Sequence, residues 1–184
     1  MIVIPYMIGD VVAKANTVLL PKLQAAKPNI VGINYQYGPF LEVCATIMQN
    51  TKNDGTSAKK YPLVCLVLPI TENSDGKVVG IDQNTPITLI IATISNPTDK
   101  SAARYAKNFI PILYPIVDEI LEQFDNDSRF LFESKDLINH TKTDYPYWGG
   151  APDAKDAQKA NPFGDWCDAI ELKINLKINT SNCQ

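Results

Sequence analysis

Between Ile170 and Ile178 every second residue is aliphatic and every intervening one is polar or charged. Ile170, Leu172, Ile174, Leu176 and Ile178 alternate with Glu171, Lys173, Asn175 and Lys177. An extended chain sends successive side chains to opposite faces, so this segment predicts a strand with one dry face and one wet face. A slip of one residue would turn the whole aliphatic set to water, which makes the register firm. The chain must therefore build a sheet that is roofed on one side, and the rest of the sequence has to supply the roof.

Two stretches have the right period for it. From Ile8 to Ala26 the residues Ile8, Val11, Val12, Ala15, Leu19, Leu20 and Leu23 recur at spacings of three and four, one face of a helix, with a kink or restart expected at Pro21. The strongest helix follows Thr98 or Ser101, either of which can cap it. Tyr105, Phe109, Ile112, Leu113, Ile116, Ile120, Leu121 and Phe124 keep its amphipathic period. Pro111 and Pro115 interrupt that pattern, so a break or bend is expected near Phe109 to Pro111. A further helix is expected from Pro39 to about Gln49, with Phe40, Val43, Cys44 and Ile47 on one face.

Tyr61 to Leu68 is continuously apolar and of strand length, as in a central strand covered on both faces. Ile87 to Ile94, rich in β-branched residues, reads as the next strand, antiparallel to it. Phe130 to Ile138 is a weaker strand candidate. Long polar stretches at about 50–60, 71–84 (with an Asp75-Gly76 turn) and 139–165 read as loops. The whole, residues 1–184, is expected to form a single α+β domain: an antiparallel or mixed sheet with helices packed mainly on one face.

At 184 residues, with 45% hydrophobic and 20% charged side chains, the chain has the composition of a folded domain. Its formal net charge of −3 argues against a dedicated nucleic-acid binder. No run approaches the ~18 apolar residues of a membrane span, and the start, Met1-Ile2-Val3-Ile4-Pro5, lacks the basic region of a signal peptide. Cys44, Cys65, Cys167 and Cys183 form no close pair and are expected as free thiols in a reducing compartment.

Chemistry-bearing residues are few. His140, the only histidine, has no nucleophile at a fixed spacing. Cys167 lies between Trp166 and Asp168, a poor setting for a thiolate. Neither a calcium-loop spacing at Asp125-Asn126-Asp127 nor a phosphate-cradling glycine motif at Gly149-Gly150 is complete. No catalysis, cofactor or metal is expected. The aromatic group Tyr145, Tyr147 and Trp148 in the 139–165 loop has the composition of a protein-interface anchor.

Several phrases resemble tail-completion, or tail-terminator-like, neck proteins of tailed bacteriophages, in versions found in phages of gut Bacteroidetes. They are Tyr61-Pro62-Leu63, Arg104-Tyr105 with Phe109-Ile110-Pro111-Ile112-Leu113-Tyr114-Pro115-Ile116, His140 to Tyr145 leading to Trp148-Gly149, and Phe163 to Glu171. The resemblance implies a tail-terminator-like fold and a virion structural protein, made in the bacterial host cytoplasm. It would be a homo-oligomeric ring of six or twelve subunits that joins portal or head-completion proteins to the tail. DNA would be only transiting cargo, for which a chain without a basic stripe is suited. Interface residues would then be Tyr145, Tyr147 and Trp148, with Asp75 in its turn and Lys173 and Lys177 on the wet face of the last strand. The alternative is a small-molecule-binding or hydrolytic domain with a pocket around His140, Asp144, Trp148 and Cys167.

Overall fold

The computed structural model of the chain describes residues 4–51, 60–71, 82–132, 138–148 and 165–179. In chain order the elements are α1 (Ile4–Ala26), β1 (Asn34–Pro39), α2 (Phe40–Thr51), β2 (Leu63–Leu68) and β3 (Asp82–Ile94). A long helix follows in three parts: α3 (Ser101–Arg104), a π-helical segment (Tyr105–Leu113) and α4 (Tyr114–Asp125). β4 (His140–Trp148) and β5 (Cys167–Asn179) follow. The strands form one mixed sheet in the order β1-β2-β3-β5-β4, parallel between β1 and β2 and antiparallel elsewhere.

β5 lies inside the sheet, paired with β3 over thirteen positions from Asp82↔Asn179 to Ile94↔Cys167. Its dry face, Ile170 to Ile178, joins Val64 and Leu66 of β2 and Ile87, Leu89 and Ile91 of β3 beneath α1, the π-helical segment and α4. From α1 this core takes Ile4, Met7, Ile8, Val11, Val12, Ala15, Leu19 and Leu23. The continuous apolarity of β2 has the expected cause. Its odd residues Leu63 and Cys65 belong to a second core on the other face, closed by Val43 and Cys44 of α2 with Ile90, Ala92, Cys167 and Ala169. Helices thus lie mainly on one face, and α2 covers one part of the other.

Four expectations need correction. β1 was not anticipated, because six residues of Asn-Tyr-Gln-Tyr-Gly-Pro carry little aliphatic patterning. Parallel pairing with β2 makes them a strand. α1 starts at Ile4 and passes through Pro21 as one helix; the proline is exposed, so the carbonyl it leaves unpaired can turn to water. The long helix does not break near Pro111. It widens into π-helix from Tyr105 to Leu113, and an i→i+5 ladder accommodates the irregularity. Finally, residues 140–148 are not loop but strand β4, paired with β5 from His140↔Ile174 to Trp148↔Cys167. The weak strand expected over 130–138 reduces, among the described residues, to one bridge, Phe130↔Ile178. The loop positions 52–59, 72–81 (with Asp75) and 149–164, and Cys183, lie outside the described residues.

One ion-pair cluster ties the helical layer together. Asp127, just after α4, accepts from Arg129 Nε at 2.9 Å and Nη2 at 2.7 Å and from Lys14 Nζ of α1 at 2.9 Å. The Arg129 hydrogen bonds, with help from Lys14, hold its carboxyl well below the usual range. A carboxyl depressed on folding stabilises the fold above its unfolded pKa of about 3.9, and that contribution is lost as pH falls below it. The urea midpoint should therefore fall as pH drops below about 4, and Asp127→Asn should flatten that acid limb. In the sheet, Leu172→Ala should cost about 2–5 kcal/mol in urea unfolding, whereas Lys173→Ala on the wet face should stay within about 0.5 kcal/mol.

Candidate functional site

Asp168 has the same strand parity as Ile170 to Ile178 and so points into the helix-covered side of the sheet. Arg104, at the end of α3, meets it there, and both side chains are fully buried. Arg104 Nη1 donates to Asp168 Oδ1 at 2.6 Å and to Ser95 Oγ at 2.7 Å. Its Nη2 donates to the Asn96 carbonyl at 2.7 Å and its Nε to the Asp99 carbonyl at 2.8 Å. Asp168 Oδ1 also accepts from the Tyr147 amide at 3.2 Å, while Oδ2 accepts from Ser95 Oγ at 2.8 Å and Asn108 Nδ2 at 2.6 Å. The Tyr147 ring lies over the guanidinium, 3.4 Å from its carbon, and the phenol donates to the Asp99 carbonyl at 2.6 Å. A carboxylate whose two oxygens each accept two hydrogen bonds and a guanidinium roofed by an aromatic ring have little capacity left for a substrate. This cluster joins β3, α3, the π-helical segment, β4 and β5; it is a structural clamp.

Tyr147 reaches the clamp through a bulge. Tyr145 pairs with Ala169 and Trp148 with Cys167, so Pro146 and Tyr147 stand opposite Asp168 alone. Tyr147 has φ +63°, a left-handed conformation that costs a tyrosine about 1–3 kcal/mol and is offset here by its amide and ring contacts.

The residues expected to form a catalytic pocket divide between the two ends of β4. Trp148 and Cys167 pair at one end. His140 pairs with Ile174, seven residues along β5, or about 24 Å away at strand spacing. His140 Nδ1 is 2.8 Å from the Ile138 carbonyl, which can only accept, and the ring borders a shallow groove beside Lys173 and Asn175. The Cys167 thiol donates to Tyr61 Oη at 3.2 Å, and burial pushes its pKa up to about 12. Burial likewise raises Cys44 to about 11 and Cys65 to about 12. These are packed thiols, unlike the exposed, electropositive cysteines that act as nucleophiles. Among the described residues, no group of three His, Cys, Asp or Glu side chains is placed to hold a metal ion.

Asp144, the remaining member, faces the π-helical segment. Tyr114 Oη donates to its Oδ2 at 2.6 Å and Tyr105 Oη at 3.4 Å, while Oδ1 is buried without a partner. Nine residues are two and a half turns of α-helix, about opposite faces. The wider π turn brings Tyr105, Phe109 and Tyr114 into one aromatic row, with centroids 4.4 and 6.0 Å apart. Burial, with Asp144 beside it, raises the Tyr114 phenol well above its ordinary value.

The interface candidates also separate. Trp148 packs edge-on against Phe40 of α2 and Tyr147 roofs the clamp, so of the three aromatics Tyr145 is the exposed one, at 39%. Lys173, paired with Glu171, and Lys177 lie exposed on the face away from α1. A second exposed group was missed with β1. Tyr6 (65% exposed) meets Tyr37 (44%) edge-to-face at 6.2 Å, and Leu41 (76%) follows on α2.

No family model, curated protein or solved structure matches the chain.

Because breaking a buried, hydrogen-bonded ion pair leaves an uncompensated charge, Arg104→Met should destabilise the chain by about 3–5 kcal/mol. The double variant Arg104→Met/Asp168→Leu should lose less than the two single losses combined, as read from a urea double-mutant cycle.

Proposed function

We propose that the chain is a virion structural subunit that assembles head to tail into a ring at the neck or upper tail of a tailed bacteriophage. The ring joins portal or head-completion proteins to the tail and lets DNA pass. The observation that supports this reading most directly is the character of the two outer strands. Among the described residues, β1 ends the sheet on one side, with Tyr6, Tyr37 and Leu41 exposed beside it, and β4 ends it on the other, with Tyr145 exposed. The two lie about 19 Å apart, four strand spacings across the sheet. A ring requires two different, complementary surfaces on each subunit, and aromatic side chains are the commonest anchors of such contacts.

The edges also carry devices that limit indiscriminate pairing. β4 has Lys142, Pro146 and the bulge at Tyr145–Trp148, and β1 is only six residues long and ends in Pro39. A docking neighbour is then selected by side chains and not by bare backbone. A net charge of −3 suits a conduit that must not grip phosphates. Among the described residues, no helix is long and apolar enough to cross a membrane.

Head-to-tail association makes a specific prediction for Tyr37→Glu/Leu41→Glu, altered on the β1 side, and Tyr145→Glu, altered on the β4 side. Native mass spectrometry should show closed rings for the parent chain and monomers for each variant alone. An equimolar mixture should stop at dimers, since the intact β4 side of one meets the intact β1 side of the other and nothing further can join. A strictly monomeric parent at high concentration, or variants that still close into rings, would sink the proposal.

A further inference from the structure

Beside the clamp, where α1 runs into β1, a cavity of about 700 Å3 opens between residues Lys27 to Val31 and the ends of β2 and β3. Its walls are apolar over most of their extent: Pro28, Ile30, Val31, the Tyr61 ring and Ile94. That volume falls within the range of small-molecule sites, which combine apolar walls with a few placed polar groups. Here the placed charged group is Lys27, whose ammonium donates to Asn108 Oδ1 at 2.9 Å and to the Ile94 carbonyl at 3.4 Å. An ammonium has three donors, and these two bonds occupy two of them.

The surrounding charges leave Lys27 unmatched. Arg104 is paired with Asp168 and Lys107 with Asp99. Lys27 feels both carboxylates, yet among the described residues it is the one cation of this cluster whose hydrogen-bond partners are all neutral. Burial lowers its pKa despite those carboxylates, a sign that the ammonium is under-solvated where it sits. An anion arriving in the cavity would reverse that penalty. A phosphate dianion would need more donors than one lysine provides, and a neutral apolar guest would leave the charge unanswered.

We infer that this cavity binds a small amphipathic carboxylate, with the acid group on Lys27 Nζ and the apolar body against Ile30, Val31 and Ile94. The inference stands on the cavity and its unmatched cation and is independent of ring assembly.

The test is isothermal titration of the full chain with decanoate, below its micelle concentration, and with decanol as the uncharged counterpart. Saturable one-to-one binding of decanoate is expected, at least about tenfold tighter than decanol, as befits a charge-assisted hydrogen bond. Lys27→Met should weaken decanoate by about the same factor and leave decanol unchanged, while Lys27→Arg should retain most of the affinity. Methyl NMR of the parent chain gives a second readout that no variant's folding can obscure, with decanoate shifting the Val31 and Ile94 methyls. No saturable binding, equal binding of decanol, or shifts confined to Leu41 and the β1 side would overturn the inference.

Discussion

The buried pair of Arg104 and Asp168 is the interaction on which the architecture at one end of the sheet depends. Removing both charges from water costs several kcal/mol for each, and their mutual attraction alone rarely repays it. What repays it here is completeness: four hydrogen bonds from the guanidinium, four onto the carboxylate and an aromatic roof. The partners come from the run Ser95 to Asn108, which takes in the β3 exit, α3 and the π-helical segment, and from β4 and β5, which lie far from that run in sequence. Hydrophobic burial is non-directional and would tolerate several ways of seating the long helix on the sheet. The clamp needs Asp168, Ser95, Asn108 and Tyr147 at hydrogen-bond distances, so it selects one of them. The bulge and the left-handed Tyr147 follow from the same demand, because only an extra residue in β4 brings that amide and ring to bear on the pair.

The main layers of the fold were legible because each rests on a strong period. β5 alternates over nine residues, α1 and the long helix repeat at three and four, and β2 is apolar on both faces because both faces are covered. The edge strands were not legible, for a common physical reason. An edge strand needs few buried side chains and carries residues that discourage further pairing, so β4 reads His-Thr-Lys-Thr-Asp-Tyr-Pro-Tyr-Trp and β1 reads Asn-Tyr-Gln-Tyr-Gly-Pro. Those are also the letters of a loop. Pairing with β5 and β2 decides the matter, and pairing is tertiary information. The π-helical segment was half legible: Pro111 announced an irregularity, but a widened turn and a break look alike in one dimension.

The candidate site was legible only in part. Asp168 shares the parity of the five aliphatic residues after it, so a carboxylate was due on the dry side of β5, where it would require a buried cation. That signal was present, but with two arginines and fifteen lysines in the chain it did not say which cation would answer Asp168. The separation of His140 from Cys167 was hidden, because it depends on β4 being extended. Twenty-seven residues of loop could have folded back; nine residues of strand hold the histidine at the far end of the sheet. Lys27 and its cavity carried no signal, since Lys-Pro-Asn-Ile-Val is unremarkable until its neighbours are known.

Placing rigidity at the clamp and exposed aromatics at the outer strands has a consequence for association. Ordering a side chain or loop on binding costs free energy that subtracts from affinity, so a surface already fixed in the free subunit binds more tightly for the same contact. Tyr145 lies two residues before the ring that roofs Arg104, and its register is set on one side by Ala169 and on the other by the bulge. Tyr37 is similarly held, because Tyr35 Oη bonds the Pro5 carbonyl at 2.7 Å and β1 is in register with β2 throughout. On the proposed assembly, both docking surfaces are therefore pre-organised by contacts made within one subunit. The angle between successive subunits, and with it ring closure, would then be set by the sheet that separates those surfaces, making the buried ion pair a determinant of assembly geometry without touching a neighbour.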